Sequence, residues 1–232
     1  MAIYAIADLH LSLNNPKPMD IFGNNWKDHH KKIMDNWINT VKDEDTVLSP
    51  GDFSWETYLE ETEKDFRYLN ELPGTKVLLK GNHDYWWTTK ANIKKYLMKN
   101  SFNTIKILHN NSYEIENYII AGTRGWDYSK KDEKKIIERE INRLQISLDS
   151  AKSIKNDKEI IVCMHYPPIS KNFIENEYEQ RILNIFKEYG VKQCIYGHLH
   201  GTAHGQAVIG IIEGIKFQLV SADFLDFKLL RI

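Results

Sequence analysis

The chain is a succession of short apolar runs, each closed by a polar residue or a glycine turn. Ile3 to Ala7, Thr46-Val47-Leu48-Ser49 and Val77-Leu78-Leu79 read as strands in the first third. Thr104 to Leu108, Tyr113 to Ile115, Tyr118 to Ala121, Glu159 to Met164 and Val191 to Tyr196 read the same way further on. Between these runs the apolar spacing becomes helical. Trp26, Ile33, Trp37, Ile38 and Val41 mark a helix over 26–41. Leu59, Phe66 and Leu69 mark one over 56–72, stopped by Pro73-Gly74. A third follows Tyr85-Trp86-Trp87 and runs to about Met98. Ile137, Ile141, Leu144 and Leu148 recur within the charge-rich 130–155, and a helix over 177–189 ends at Gly190. The remainder, 203–232, reads as strands and hairpins broken at Gly205, Gly210, Gly214 and Asp223. Strands alternating with helices predict an α/β fold.

Composition narrows the picture without deciding it. The 232 residues are 42% hydrophobic and 27% charged, enough to bury a large core in one domain, 1–232. A net charge of −1 rules out a bulk basic field, so anion binding must be local and nucleic acid is disfavoured as a partner. Cys163 and Cys194 sit within apolar strands and read as reduced core thiols. The start lacks a basic region and reaches Asp8 directly, unlike a signal peptide, and no apolar run can span a bilayer. The expected location is the cytoplasm.

The chemistry gathers at strand ends. Asp8-Leu9-His10, Gly51-Asp52, Lys80-Gly81-Asn82-His83-Asp84, His165 before Pro167-Pro168, and Gly197-His198-Leu199-His200 each lie at or just past one. In open α/β sheets, ligands bind beyond the carboxyl ends of strands, so one fold can unite all five segments. Three aspartates, one amide and five histidines form a mixed nitrogen and oxygen donor set. Such a set suits Mn, Fe, Zn or Co better than Ca or Mg. Arg124, between Gly122-Thr123 and Gly125, is positioned to bind phosphate oxygens. His29 and His30 read as solvated helix residues. Trp86 and Trp87 read equally as a stacking wall beside the site or as helix packing, and Trp55, Tyr85, Trp126 and Tyr166 also lie near ligand segments.

In this order the motifs resemble those of the calcineurin-like metallophosphoesterase superfamily, and they span residues 8 to 200. The resemblance implies a four-layer αββα sandwich of two mixed sheets flanked by helices. It implies a centre of two divalent or trivalent transition-metal ions (Mn, Fe or Zn). Asp8, His10 and His200 would hold one ion, Asn82, His165 and His198 the other, and Asp52 would bridge. His83 would donate a proton to the leaving group, oriented by Asp84. The chain departs from a common pattern in lacking a second aspartate after Gly51-Asp52 and in carrying Met164 before His165. It also lacks the arginine that usually follows the aspartates in protein phosphatases. The implied activity is phosphoester hydrolysis on a small phosphorylated substrate, with a phosphodiesterase favoured. A monoesterase or protein phosphatase, a nuclease, and a non-catalytic metal-binding module are the alternatives.

Overall fold

The computed structural model describes every residue except Lys155, and every side chain except those of Lys155 and Lys131. Both lysines belong to the charge-rich 130–155 segment. Strands β1 (Ile3–Ala5), β2 (Thr46–Pro50), β3 (Thr75–Leu79) and β4 (Ile105–Ile107) run parallel. Helices α1 (His29–Thr40), α2 (Glu63–Glu71) and α3 (Lys90–Lys99) connect them. The second half supplies β5 (Tyr113–Ile115), β6 (Tyr118–Thr123), α4 (Lys134–Ile154), β7 (Glu159–Met164), α5 (Glu177–Tyr189) and β8 (Val191–Tyr196). The hairpin β9 (Gly210–Ile212) and β10 (Ile215–Leu219) follows, and β11 (Leu230–Arg231) returns to pair antiparallel with β1. The sheet orders are β11-β1-β2-β3-β4 and β5-β6-β7-β8-β10-β9.

Alternation of side chains along each strand builds the layers. Val47 and Leu78 face the helices α1 to α3, whereas Leu48, Val77 and Leu79 face the second sheet. On that sheet Ile120, Ile161, Cys163 and Ile195 answer them, while Val162, Cys194 and Tyr196 pack under α4 and α5. The result is helix, sheet, sheet, helix: the expected sandwich. The neighbouring cysteines point to opposite faces and are free, buried thiols.

Two helices begin later than their apolar spacing predicts. Helix α1 starts at His29 because Asp28 takes a left-handed conformation (φ 53°). The 56–62 stretch forms a loop and a 3-10 turn rather than α-helix. His29 corrects the solvated reading: it is buried, with ring nitrogens 3.2 Å from Trp26 O and 3.1 Å from Leu9 O. Trp86 and Trp87 are also buried, the first edge-on to Phe66 at 5.2 Å, so both pack the core instead of walling a site.

Candidate metal centre

The carboxyl ends of β1, β2 and β3 in one sheet and of β7 and β8 in the other meet along one edge. There the chain turns through conformations that side chains normally avoid. Asp8 (φ 60°), His10 (φ 45°), Asp52 (φ 53°) and His198 (φ 74°) all occupy the left-handed region. Each such residue carries strain that the surrounding structure must hold, and strain of this kind gathers at functional sites. Close approach is equally marked at Gly81, where a Cβ would lie 2.0 Å from Asp52 Oδ1, and at Gly197, where it would lie 2.5 Å from Asp8 Oδ2. Glycine is required at both points so that the facing carboxylate, Asp52 from the neighbouring strand in the first case and Asp8 from the other sheet in the second, can fit.

All seven side chains expected as ligands come together here. Asn82 Oδ1 lies 2.6 Å from His165 Nε2 and 2.8 Å from His198 Nδ1. His165 Nε2 is 3.5 Å from Asp52 Oδ2, and His10 Nε2 is 3.8 Å from the same oxygen. His10 Nε2 and His200 Nε2 face each other at 3.4 Å, and His200 Nε2 is 3.8 Å from Asp8 Oδ1. Two subsets are compact enough to hold an ion each: Asp8, His10 and His200, and Asp8, Asp52 and His165. The second differs from the expected partition by bringing Asp8 beside His165, at 3.7 Å.

The electrostatics fit a cation. Burial pushes the Asp8 carboxyl up to about 7 against the pull of His200, with Asp52 adding to the rise. Burial likewise raises Asp52 to about 6, against His83. Burial lowers His165 and His198 to about 3, so both rings are neutral and have a lone pair to give. Burial would also lower His200, but Asp223, Asp8 and Asp52 together hold it up at about 9. A divalent ion would replace that proton. Two buried carboxylates and facing imidazole nitrogens, without a lysine or arginine among them, are what a metal would neutralise.

Asp223 is visible in the sequence only as a break. It accepts from His200 Nδ1 at 2.8 Å and from the Gly201 N–H at 3.0 Å. A carboxylate on the far nitrogen of a ligating imidazole fixes its tautomer and orientation. Its position four residues past the end of β10 is the only sequence signal that could have found it.

His83 projects beside the cluster, its backbone N–H donating to Asp52 Oδ1 at 2.8 Å. Its ring lies 4.4 Å from Trp55 and 5.7 Å from His10, and Tyr85 Oη is 3.4 Å from His83 Nδ1. Burial lowers its pKa, and the Asp52 charge works against that. The expectation that Asp84 orients this ring is corrected. Asp84 is fully buried and accepts from the N–H groups of Asp52, Phe53, Ser54 and Gly81 and from Trp86 Nε1. Those five donors, 2.7 to 3.2 Å away, tie the loop after β2 to the loop after β3. Arg124 is mostly buried; its carbonyl accepts from His165 N, and its guanidinium lies 4.5 Å over Trp126. A cleft of about 490 Å³ begins at His198 and Tyr166 and is lined by Trp126, Ile169 and Leu199.

A family model for calcineurin-like phosphoesterases matches residues 1–202. None of the curated proteins matches closely enough to count as a relative. Among solved structures, a protein of unknown function from Aquifex aeolicus is 19% identical at a TM-score of 0.52, covering 99% of this chain and 95% of that one. The phosphopantetheinyl hydrolase of Mycobacterium tuberculosis is 12% identical at 0.58, covering 100% and 95%. A Thermus thermophilus protein is 14% identical at 0.53, covering 99% and 97%. At these identities the likeness is one of fold.

Proposed function

Because this chain belongs to the calcineurin-like phosphoesterase family, whose members use divalent metal ions, we propose that it hydrolyses a small phosphodiester at a two-metal centre. The observation that carries the reading is the convergence of Asp8, His10, Asp52, Asn82, His165, His198 and His200 from both sheets onto one edge. The mixed donor set favours two transition-metal ions, Mn, Fe or Zn, over Ca or Mg. When bound, such ions neutralise phosphoryl charge and activate water at neutral pH. Asp8, His10 and His200 would hold one ion and Asn82, His165 and His198 the other, with Asp52 between them.

The remaining groups act on the substrate. His83, in its charged form, gives a proton to the departing oxygen. An incoming phosphate adds negative charge beside the ring and so favours that form. Tyr85 and Trp55 position the imidazole. Arg124 binds phosphate oxygens, held flat by Trp126. The cleft beside His198 accepts the organic part of the ester, in keeping with its aromatic lining.

The test is hydrolysis of a chromogenic phosphodiester and its matching monoester by metal-stripped protein resupplied with Mn, Fe or Zn, with Asp52→Asn as the blank. Metal-dependent turnover with the diester preferred is the expected result. Monoester preference would make the protein a phosphatase. The absence of turnover with every metal would overturn the hydrolytic reading.

A further inference from the structure

A second cavity, of about 240 Å³, lies along the same edge of the sandwich, between the ends of β3 and β6. Its walls include Lys80, one residue before the Gly81-Asn82 turn, and Arg124, whose carbonyl holds the His165 backbone. Arg139 and Arg143 of α4 complete a ring of four cationic side chains. One carboxylate stands among them, Glu140, which is fully buried.

Glu140 cannot satisfy this ring. Its oxygens accept from Arg143 Nη1 at 2.8 Å and Thr123 Oγ1 at 3.0 Å. Arg139 and Arg124 approach it only to 3.5 and 3.7 Å, outside good hydrogen-bond range for a guanidinium. Arg124 Nε is buried and makes no hydrogen bond, and among the described residues the Lys80 ammonium has no hydrogen-bond or ion-pair partner, feeling Asp84 and Glu140 only at longer range. Four cations against one carboxylate leave an excess positive charge in a partly enclosed space. Clefts of one sign concentrate ligands of the other, and unpaired guanidinium donors match phosphate oxygens.

We propose that this cavity is a second anion subsite, in which Lys80, Arg139 and Arg143, with Arg124 shared between the two sites, take a phosphate group that the substrate carries in addition to the one hydrolysed. The preferred substrates are therefore small bisphosphorylated molecules. The inference rests on the hydrolytic reading of the neighbouring centre and extends it to substrate class.

The experiment uses the metal-loaded full chain and a Lys80→Gln/Arg139→Gln double variant, which leaves the Arg143–Glu140 bond intact. Inorganic phosphate is titrated calorimetrically into each, and KM is compared for two diesters, 4-nitrophenyl butyl phosphate and its bisphosphorylated counterpart 4-nitrophenyl 4-(phosphonooxy)butyl phosphate. The parent should bind two phosphates and the variant one. The bisphosphate should have a KM lower by roughly tenfold or more, an advantage that disappears in the variant. Lys80→Arg/Arg139→Lys, which keeps the charge, should restore it and so separates charge from folding. Unchanged phosphate stoichiometry in the double variant would overturn the subsite. Two sites with equal KM values would assign the cavity to free phosphate and overturn the substrate claim. A variant-sensitive phosphate site in a protein that hydrolyses neither compound would sink the hydrolytic reading while leaving the anion site standing.

Discussion

Gly81→Ala tests the centre through a single methyl group. The backbone at Gly81 lies outside the left-handed region, so alanine has no intrinsic conformational objection there. The conflict is one of space: a Cβ would stand 2.0 Å from Asp52 Oδ1 and 2.2 Å from Asp52 N. Contacts below about 3 Å are not tolerated, so Asp52 must retreat by about 1 Å or more. A rotamer change cannot achieve this, because one clashing atom is backbone. Overpacking of this kind costs about 1–3 kcal/mol of folding stability. For a chain of this size that is a fall in Tm of roughly 2–12 °C in metal-stripped protein. The effect on metal should be larger, since ligand distances must be kept within about 0.2 Å. A hundredfold loss of affinity would remove about 2.7 kcal/mol of the stabilisation that saturating metal provides. Thermal melts of parent and variant, stripped and with titrated Mn or Zn, separate the two costs, and metal analysis of the purified proteins gives the stoichiometry directly. A variant with a normal metal-induced rise in Tm and normal turnover would refute the placement of Asp52 at the heart of the centre.

Other outcomes follow from the same geometry. His83→Ala should retain metal and lose turnover by about 10²–10⁴-fold with poor leaving groups, and much less with a nitrophenolate; equal losses for both would remove the proton-donor role. Asp223→Ala frees the far nitrogen of His200, so metal affinity should fall about 10–100-fold in a chelator competition while the stripped protein stays folded. Asp84→Ala leaves up to five N–H donors without their acceptor and should lower the stability of the stripped protein by about 4 kcal/mol. A stable Asp84→Ala protein impaired only with poor leaving groups would restore Asp84 as the orienting partner of His83. Burial lowers the Lys76 ammonium, on β3, to about 8 from 10.5. Its contribution is therefore fully present above about pH 10.5 and lost as pH falls through 8, so between those values the parent should gain about 2–3 kcal/mol relative to Lys76→Met. Denaturation curves for the pair at pH 7.5 and 10.5 would show it, and a pH-independent difference would contradict the buried charge.

Much of this is legible in the sequence because the signals are local. A buried parallel strand is a short β-branched or leucine-rich run, and a ligand at its end follows within one to three residues. Asp8, Asp52 and Asn82 are therefore assignable to one edge from the order of residues alone. What escapes depends on contacts across the chain. Asp84 sits one residue after His83, and adjacency favours a partnership, yet three of its five donors are N–H groups thirty or more residues earlier. Glu140 lies in the charge-rich helix, where nothing in the sequence sets it apart from its neighbours, and only the fold turns it inward beneath three arginines. Asp223 acts on His200 from twenty-three residues away, across a hairpin whose sequence is otherwise featureless. The start of α1 shifts because one residue, Asp28, adopts a conformation that hydrophobic spacing does not report.

The division of the ligands between two sheets has a consequence for how the protein is made. Asp8, His10, Asp52 and Asn82 leave the ribosome long before His198 and His200, and β1 waits for β11, with Tyr4 finally opposite Arg231. In the proposed division of ligands, neither half of the growing chain holds a complete set for either ion, so metal is not expected to nucleate folding. The apolar layers must assemble first, through pairings distant in sequence that are slow to form. In that reading, metal would close the seam late. Protein synthesised without transition metal should therefore be folded, with the seam exchanging amide hydrogens faster than either sheet's interior until an ion closes it.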